Sequence, residues 1–274
     1  MALKLMYLTN RPDIAEIAQR AGVDRIFLDL EIRGKEERQG HLDTVISHNS
    51  IDDTAKLKAV LNSSELLVRV NSVYDGTREE VSRVINDGAD IVMLPYFKTV
   101  GEVERFLDAV GGRAKTCLLL ETPEAVEVID DILKLDGIDE IHIGLNDLHL
   151  GYRMKFMFEL VADGTVERLC NKFREKGVFY GFGGVGRVGN AAEVPLPAEN
   201  IITEHYRLGS QMVILSRAFC NLSKTGDPKY VERLFSDGVT EFREFEKKVG
   251  AYTDEMFRDS HLDTVERVNK IIGK

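Results

Sequence analysis

The sequence predicts a (β/α)8 TIM barrel with extended C-terminal helices, and three observations carry that prediction. Short apolar runs and amphipathic helical stretches alternate eight times without a break. The 274 residues, 43% of them hydrophobic, are enough for one large core, and a single barrel of this kind commonly takes about 250. Polar and acidic residues gather at one end of most of the apolar runs, where barrel enzymes keep their chemistry. A doubly wound open sheet is the runner-up architecture.

The elements follow in order. Leu3–Thr9 reads as the first strand, and Pro12–Ala21 as a helix stopped by Gly22. Arg25–Glu31 is the second strand. A polar stretch, Ile32–Ile51, leads to a helix at Asp52–Leu61. Glu65–Asn71 is the third strand, and Thr77–Asp87 a capped helix ending at Gly88. Ile91–Phe97 and Val100–Val110 form the fourth unit, closed by Gly111-Gly112. Lys115–Glu121 is the fifth strand, and Pro123 opens a helix that runs on through Glu124–Leu135 to Gly137. Glu140–Asn146 is the sixth strand, followed by a helix at Val166–Lys176. Val178–Gly183 with Ala198–Leu208 is the seventh unit, and Gln211–Ser216 the eighth strand. No linker, charge run or low-complexity tract divides the chain, so residues 1–274 read as one domain. The tail, 227–274, is helical and longer than a closing eighth helix requires, which suits packing on a neighbouring subunit.

A formal net charge of −10 argues against nucleic acid or an anionic membrane as a main partner. The three cysteines, Cys117, Cys170 and Cys220, have no metal-ligand spacing. Sparse and odd in number, they fit a reducing cytoplasmic setting, with Cys117 and Cys170 as buried thiols. No signal segment and no apolar run of membrane-spanning length is visible.

Glu121 and Asp147 are the strongest candidates for chemistry. Each ends an apolar run, and the two runs read as neighbouring parallel strands, so two carboxylates stand at adjacent strand tips. Hard divalent cations take oxygen ligands of this kind. The structural alternative is a strand-end polar residue or, for Asp147, a helix cap. Arg69, flanked by Val68 and Val70, would point into the barrel, where its fork needs an anion: a substrate oxygen, or an inward acid such as Asp29. Asp29 and Glu31 share one face of the second strand. They are candidates to order a metal-bound water or act as base through it, or else to hold the arginine. In the loop after them stand Arg33, Lys35, Arg38, His41 and His48, with either histidine a candidate base. Gly181-Phe-Gly-Gly-Val-Gly186 matches G-x-G-x-x-G only literally, because no helix opens after it. It is expected to be a loop over the barrel mouth, with Arg187 a possible anion contact. His142 is expected to be a packed core residue.

Leu67-Val-Arg-Val-Asn71, Leu118-Leu-Leu-Glu-Thr-Pro-Glu-Ala125 and Ile143-Gly-Leu-Asn-Asp-Leu148 resemble, in order, motifs of the HpcH/HpaI aldolase/citrate lyase family of the phosphoenolpyruvate–pyruvate superfamily. The resemblance implies a barrel that makes or breaks a carbon–carbon bond beside a pyruvate-like or acyl-CoA enolate. Glu121 and Asp147 would then hold Mg²⁺ or Mn²⁺, and Arg69 would stabilise the enolate oxygen. Backbone amides near Asn146 and Asp147 would receive the substrate carboxylate. It also implies a homo-oligomer exchanging C-terminal helices. One departure stands out: where the hydroxy-oxoacid aldolase branch reads Asp-Gly-Glu-His, this chain has Asp29-Leu-Glu-Ile32, and isoleucine transfers no proton. The expected activity is a divalent-metal-dependent aldolase or lyase acting on a small 2-oxo acid. The alternatives are a CoA-thioester lyase of the citrate or malyl type, and a catalytically silent barrel used for binding.

Overall fold

The computed structural model describes residues 2–33, 49–189, 194, 196–220 and 227–274. Eight parallel strands close on themselves in sequence order: β1 (Lys4–Leu8), β2 (Arg25–Asp29), β3 (Glu65–Arg69), β4 (Ile91–Leu94), β5 (Lys115–Leu120), β6 (Glu140–Ile143), β7 (Phe179–Val185) and β8 (Met212–Leu215). Closure is made by β1 against β8, with Lys4 beside Met212 and Tyr7 beside Leu215. The helices run α1 (Pro12–Arg20), α2 (Asp53–Val60), α3 (Thr77–Asn86), α4 (Val100–Val110), α5 (Pro123–Glu127), α6 (Ile129–Ile132), α7 (Leu145–Gly151), α8 (Glu159–Ala162), α9 (Thr165–Lys176), α10 (Ala198–Arg207), α11 (Pro228–Val249) and α12 (Asp254–Ile272).

Alternation along each strand sorts the residues. One face, with Leu5, Leu28, Leu66, Val68, Val92 and Leu118, packs beneath the helices. The other fills the barrel with Met6, Phe27, Leu67, Ile91, Met93, Cys117, Leu119 and Met212. This apolar middle layer lies between two polar ones. At the floor, Arg25 grips Glu140 through both terminal nitrogens (2.6 and 2.7 Å) and Glu65 through Nε (3.0 Å), while Lys115 reaches Glu65 at 2.7 Å. The other polar layer is the mouth.

The helix ends obey local chemistry. Thr99 and Glu102 form a reciprocal capping box at α4, and Gly111 ends that helix in the left-handed region at φ 56°. Several predicted bounds differ from the structure, two of them around the candidate site. The helix expected from Pro123 to Leu135 breaks at Val128 into α5 and α6. The expected sixth strand stops at Ile143, and Leu145-Asn146-Asp147 begins α7 instead.

The tail packs on its own barrel. Glu246 of α11 accepts the Leu3 N–H at 2.7 Å, and Arg243 donates to the Leu3 carbonyl at 2.8 Å, so α11 ties down the start of β1. Asn200 of α10 donates to Asp263 (2.8 Å) and Thr264 (3.0 Å) of α12, and His261 meets Glu204 at 2.9 Å. Among the described residues no helix is long and apolar enough to cross a membrane.

Candidate active site

The C-terminal mouth brings together most of the residues singled out by sequence. Asp29 and Arg69 are register partners on β2 and β3. Arg69 Nε donates to Asp29 Oδ1 at 2.8 Å and Nη2 to Oδ2 at 2.7 Å, a bidentate pair. Nη2 also lies 3.5 Å from Glu31 Oε2. Arg69 Nη1 has no hydrogen-bond partner among the described residues, and the side chain keeps 13% of its surface exposed. Burial opposes its charge, but the carboxylates of Asp29, Glu31 and Glu121 together outweigh it and raise the pKa. Arg69 is therefore a permanent cation.

Glu121 follows β5 and is 3% exposed. Its Oε1 accepts the Tyr96 N–H at 3.0 Å. Tyr96 takes a left-handed conformation, φ 49°, uncommon for a residue with a Cβ. Glu121 crosses the tip of β6 at Gly144. A Cβ there would lie 2.8 Å from both Glu121 Cβ and Oε2, so the crossing needs a glycine. Asp147 is half-buried in the first turn of α7, three residues beyond that glycine. Glu121 and Asp147 thus leave adjacent strands at the same mouth.

Their chemistry suits a hard cation, which binds through one or two carboxylates and completes its shell with water and substrate oxygens. Among the described residues no group of three or more His, Cys, Asp or Glu side chains is placed to hold a metal. Glu121 and Asp147 are the carboxylates of this kind that the sequence singled out, with Asn146 next to Asp147 in the chain.

Other candidates have different surroundings. Asp29 is committed to Arg69 and also accepts the Glu31 N–H at 3.1 Å, so it holds the arginine, the structural reading of the pair. Ile32 is 44% exposed. Lys35, Arg38, His41 and His48 lie outside the described residues. The glycine-rich segment is not a loop: Gly181 through Val185 belong to β7, with a register shift between Gly181 and Gly184. A Cβ on Gly181 would fall 2.1 Å from the Met212 carbonyl, so packing against β8 accounts for the glycine. Arg187 is paired with Glu241 of α11 at 3.0 Å. His142 is fully buried, as expected, with Nε2 3.1 Å from the Gly183 carbonyl. Cys117, Cys170 and Cys220 are all buried free thiols.

Three residues at the mouth were missed. Asn71 accepts the N–H groups of Ile32 and Arg33, each at 3.0 Å, and donates to Glu80. It lay within a motif, but nothing in sequence paired it with Glu80, which reads as an ordinary first-turn acid. Tyr96 gave no signal, because its contribution is a backbone N–H.

The model of the HpcH/HpaI aldolase/citrate lyase family matches residues 4–178. No curated protein matches the chain. Among solved structures, the chain is similar to an HpcH/HpaI aldolase from Desulfitobacterium hafniense DCB-2, with a TM-score of 0.60, 19% identity and coverage of 89% of this chain and 93% of the other. It is also similar to an HpcH/HpaI aldolase/citrate lyase family protein from Burkholderia cenocepacia J2315, with a TM-score of 0.60, 16% identity and coverage of 88% and 95%. At these identities the likeness shows the fold.

Proposed function

The chain belongs to the HpcH/HpaI aldolase/citrate lyase family, and on that premise we propose a divalent-metal-dependent carbon–carbon lyase that acts on a 2-oxo acid through a pyruvate-like enolate. Family membership supports lyase activity in general. The observation that favours the enolate reading is Arg69: a half-buried, permanently charged guanidinium whose Nη1 is left over at the barrel mouth, beside Glu121.

Glu121 and Asp147 would hold Mg²⁺ or Mn²⁺, which when bound supplies Lewis-acid polarisation of the 2-oxo group. Arg69 Nη1 donates to the oxygen that becomes the enolate oxygen. Asp29 keeps the guanidinium in place, so the donor is oriented before the charge develops. The substrate carboxylate sits at the amides of Asn146 and Asp147. In the cleavage direction the hydroxyl on the fourth carbon loses its proton, the bond between the third and fourth carbons breaks, an aldehyde departs, and the enolate is protonated to pyruvate. Ile32 moves no proton, so Glu31, on the same face as Asp29, is the base proposed to act through a water. We also place the enzyme in the cytoplasm, as three unpaired thiols suggest. It is proposed to be a homo-oligomer whose 227–274 tail exchanges between subunits, an exchange that would keep the α12 contacts in trans.

The stretch Asp29-Leu-Glu favours a second reading, a CoA-thioester lyase, because it is closer to the citrate lyase branch than to Asp-Gly-Glu-His. Pyruvate release should be measured over a panel of 4-hydroxy-2-oxo acids, after chelation and after Mg²⁺ or Mn²⁺ is restored. Metal-restored release supports the aldolase reading. Tight acyl-CoA binding by calorimetry without pyruvate release moves the assignment to the second. Neither activity nor metal binding would leave a silent barrel.

A further inference from the structure

Glu31 lies two residues past the end of β2, yet it is 2% exposed and holds its Oε2 3.5 Å from Arg69 Nη2. A long acidic side chain beyond its strand needs a fixed backbone before it can be aimed. Side chains supply this, one peptide plane after another. Asn49 Nδ2 donates to the Asp29 carbonyl at 2.7 Å, and the Leu30 N–H of the same plane donates to the Arg69 carbonyl at 2.9 Å. Asp29 Oδ1 accepts the Glu31 N–H at 3.1 Å. Asn71 Oδ1 accepts the next two, from Ile32 and Arg33, each at 3.0 Å.

The peptide planes on both sides of the Glu31 Cα are therefore pinned. Because each plane is rigid, pinning both fixes the φ and ψ of Glu31, and with them the direction in which its side chain leaves the backbone. Asp29, which holds the first plane, is locked to Arg69 by two hydrogen bonds. The second plane depends on Asn71.

Asn71 is held in turn from α3. Its Nδ2 and its backbone N–H both donate to Glu80 Oε1, at 2.7 and 3.2 Å, and Glu80 is buried. This fixes which way the amide faces. Reversed, it would set its oxygen against a carboxyl oxygen and its NH2 against two N–H donors. Burial pushes the Glu80 pKa up, against the hydrogen bonds from Asn71. A neutral carboxyl still accepts through its carbonyl oxygen, so the clamp needs the acceptor and not the charge.

We propose that Asn71, seated on Glu80, is the positioning residue that aims the Glu31 carboxylate into the barrel mouth beside Arg69. The catalytic use of that aim rests on the lyase reading, in which Glu31 is the base acting through a water. Asn71 and Glu80 touch no reacting atom and act through the backbone of residues 31–33.

The test reads two quantities on the full-length protein: steady-state pyruvate release from a 4-hydroxy-2-oxo acid with Mg²⁺ present, and the place of Glu31 in crystals of the wild type and of Asn71→Leu. Asn71→Leu is expected to lower kcat about thirtyfold, with KM and Mg²⁺ affinity within about twofold. Glu80→Leu reaches the same clamp from α3 and should match it, which keeps the test open if Asn71→Leu does not fold. Glu80→Gln keeps a carbonyl acceptor and should stay within about threefold of the wild type. Added to Glu31→Gln, Asn71→Leu should cost less than about twofold more, because both act through one group. Losses that multiply in the double variant, or a raised KM with kcat kept, overturn the inference. So does a Glu31 carboxylate that stays beside Arg69 in the Asn71→Leu crystal. A displaced Glu31 in a protein whose wild type releases no pyruvate upholds the positioning and sinks the lyase reading. Release by the wild type with Glu31 unmoved and kcat unchanged in Asn71→Leu does the reverse.

Discussion

Arg25 on β2 and Arg69 on β3 both reach into the barrel, one at the floor and one at the mouth, and each grips a carboxylate with two hydrogen bonds. At the floor every nitrogen of the guanidinium is engaged: Nη1 and Nη2 by Glu140, Nε by Glu65. Lys115 extends the belt, and Arg25 is 2% exposed. Burial raises the Glu140 pKa despite its partner, while Arg25 stays charged because Glu140 outweighs its own burial. At the mouth the partner is a neighbour on the next strand, and Nη1 is left over. An arginine–carboxylate pair thus makes a plug when all donors face protein, and leaves a donor over when one faces the opening.

The largest expected effect separates the two layers by activity. Glu121→Gln should lower metal-restored pyruvate release about a thousandfold, or ~4 kcal/mol, with the thermal midpoint nearly unchanged. A loss of stability instead would make Glu121 a structural acid like Glu140. Arg25→Met is the mirror experiment. It strands Glu140 in the floor and should cost about 3 kcal/mol of stability by denaturant titration, while activity per folded molecule stays within about twofold.

His142 lies on β6 between the two layers and carries a pH dependence. Burial, opposed by its hydrogen bond to the Gly183 carbonyl, pushes its pKa down from 6.5 to about 4. The unfolded chain therefore binds the proton more readily. The contribution is complete above pH 6.5 and is lost as the pH falls toward about 4, worth at most about 3 kcal/mol. His142→Gln should flatten that part of the stability–pH curve, and an unchanged slope would show that another group governs it.

Arg69→Lys keeps the charge but not the fork. It should reduce turnover about a hundredfold, or ~2.7 kcal/mol. Turnover within a few fold of wild type would remove the special standing of Nη1. The smallest effect is expected of Arg25→Met with Glu140→Leu together. An apolar floor should fold within about 1 kcal/mol of the wild type, and a large loss would mean that the belt also fixes strand register.

The sequence disclosed the barrel because its signals are local. Alternation sorts the β3 residues Val68 and Arg69 onto opposite faces, and caps such as Thr99 with Glu102 mark a helix end within one turn. The same period placed Asp29, Arg69 and Glu121 at one rim. It misjudged Asp147, because Gly144 ends the ladder and the next residue can turn at once into α7. It misread the β7 glycines, because the need for them comes from Met212 on another strand.

Order of elements, facing of side chains and the acidic character of the mouth were therefore determined by the chain itself, since each depends on neighbours a few residues away. Tertiary structure alone decided that Arg69 spends two nitrogens on Asp29 and keeps Nη1, that Arg25 closes the floor with Glu140, and that Arg33 lies on Tyr74. Those partners stand 40 residues or more apart, 115 in the case of Arg25 and Glu140. Only the closing of the ring and the register of its strands bring them within bonding distance.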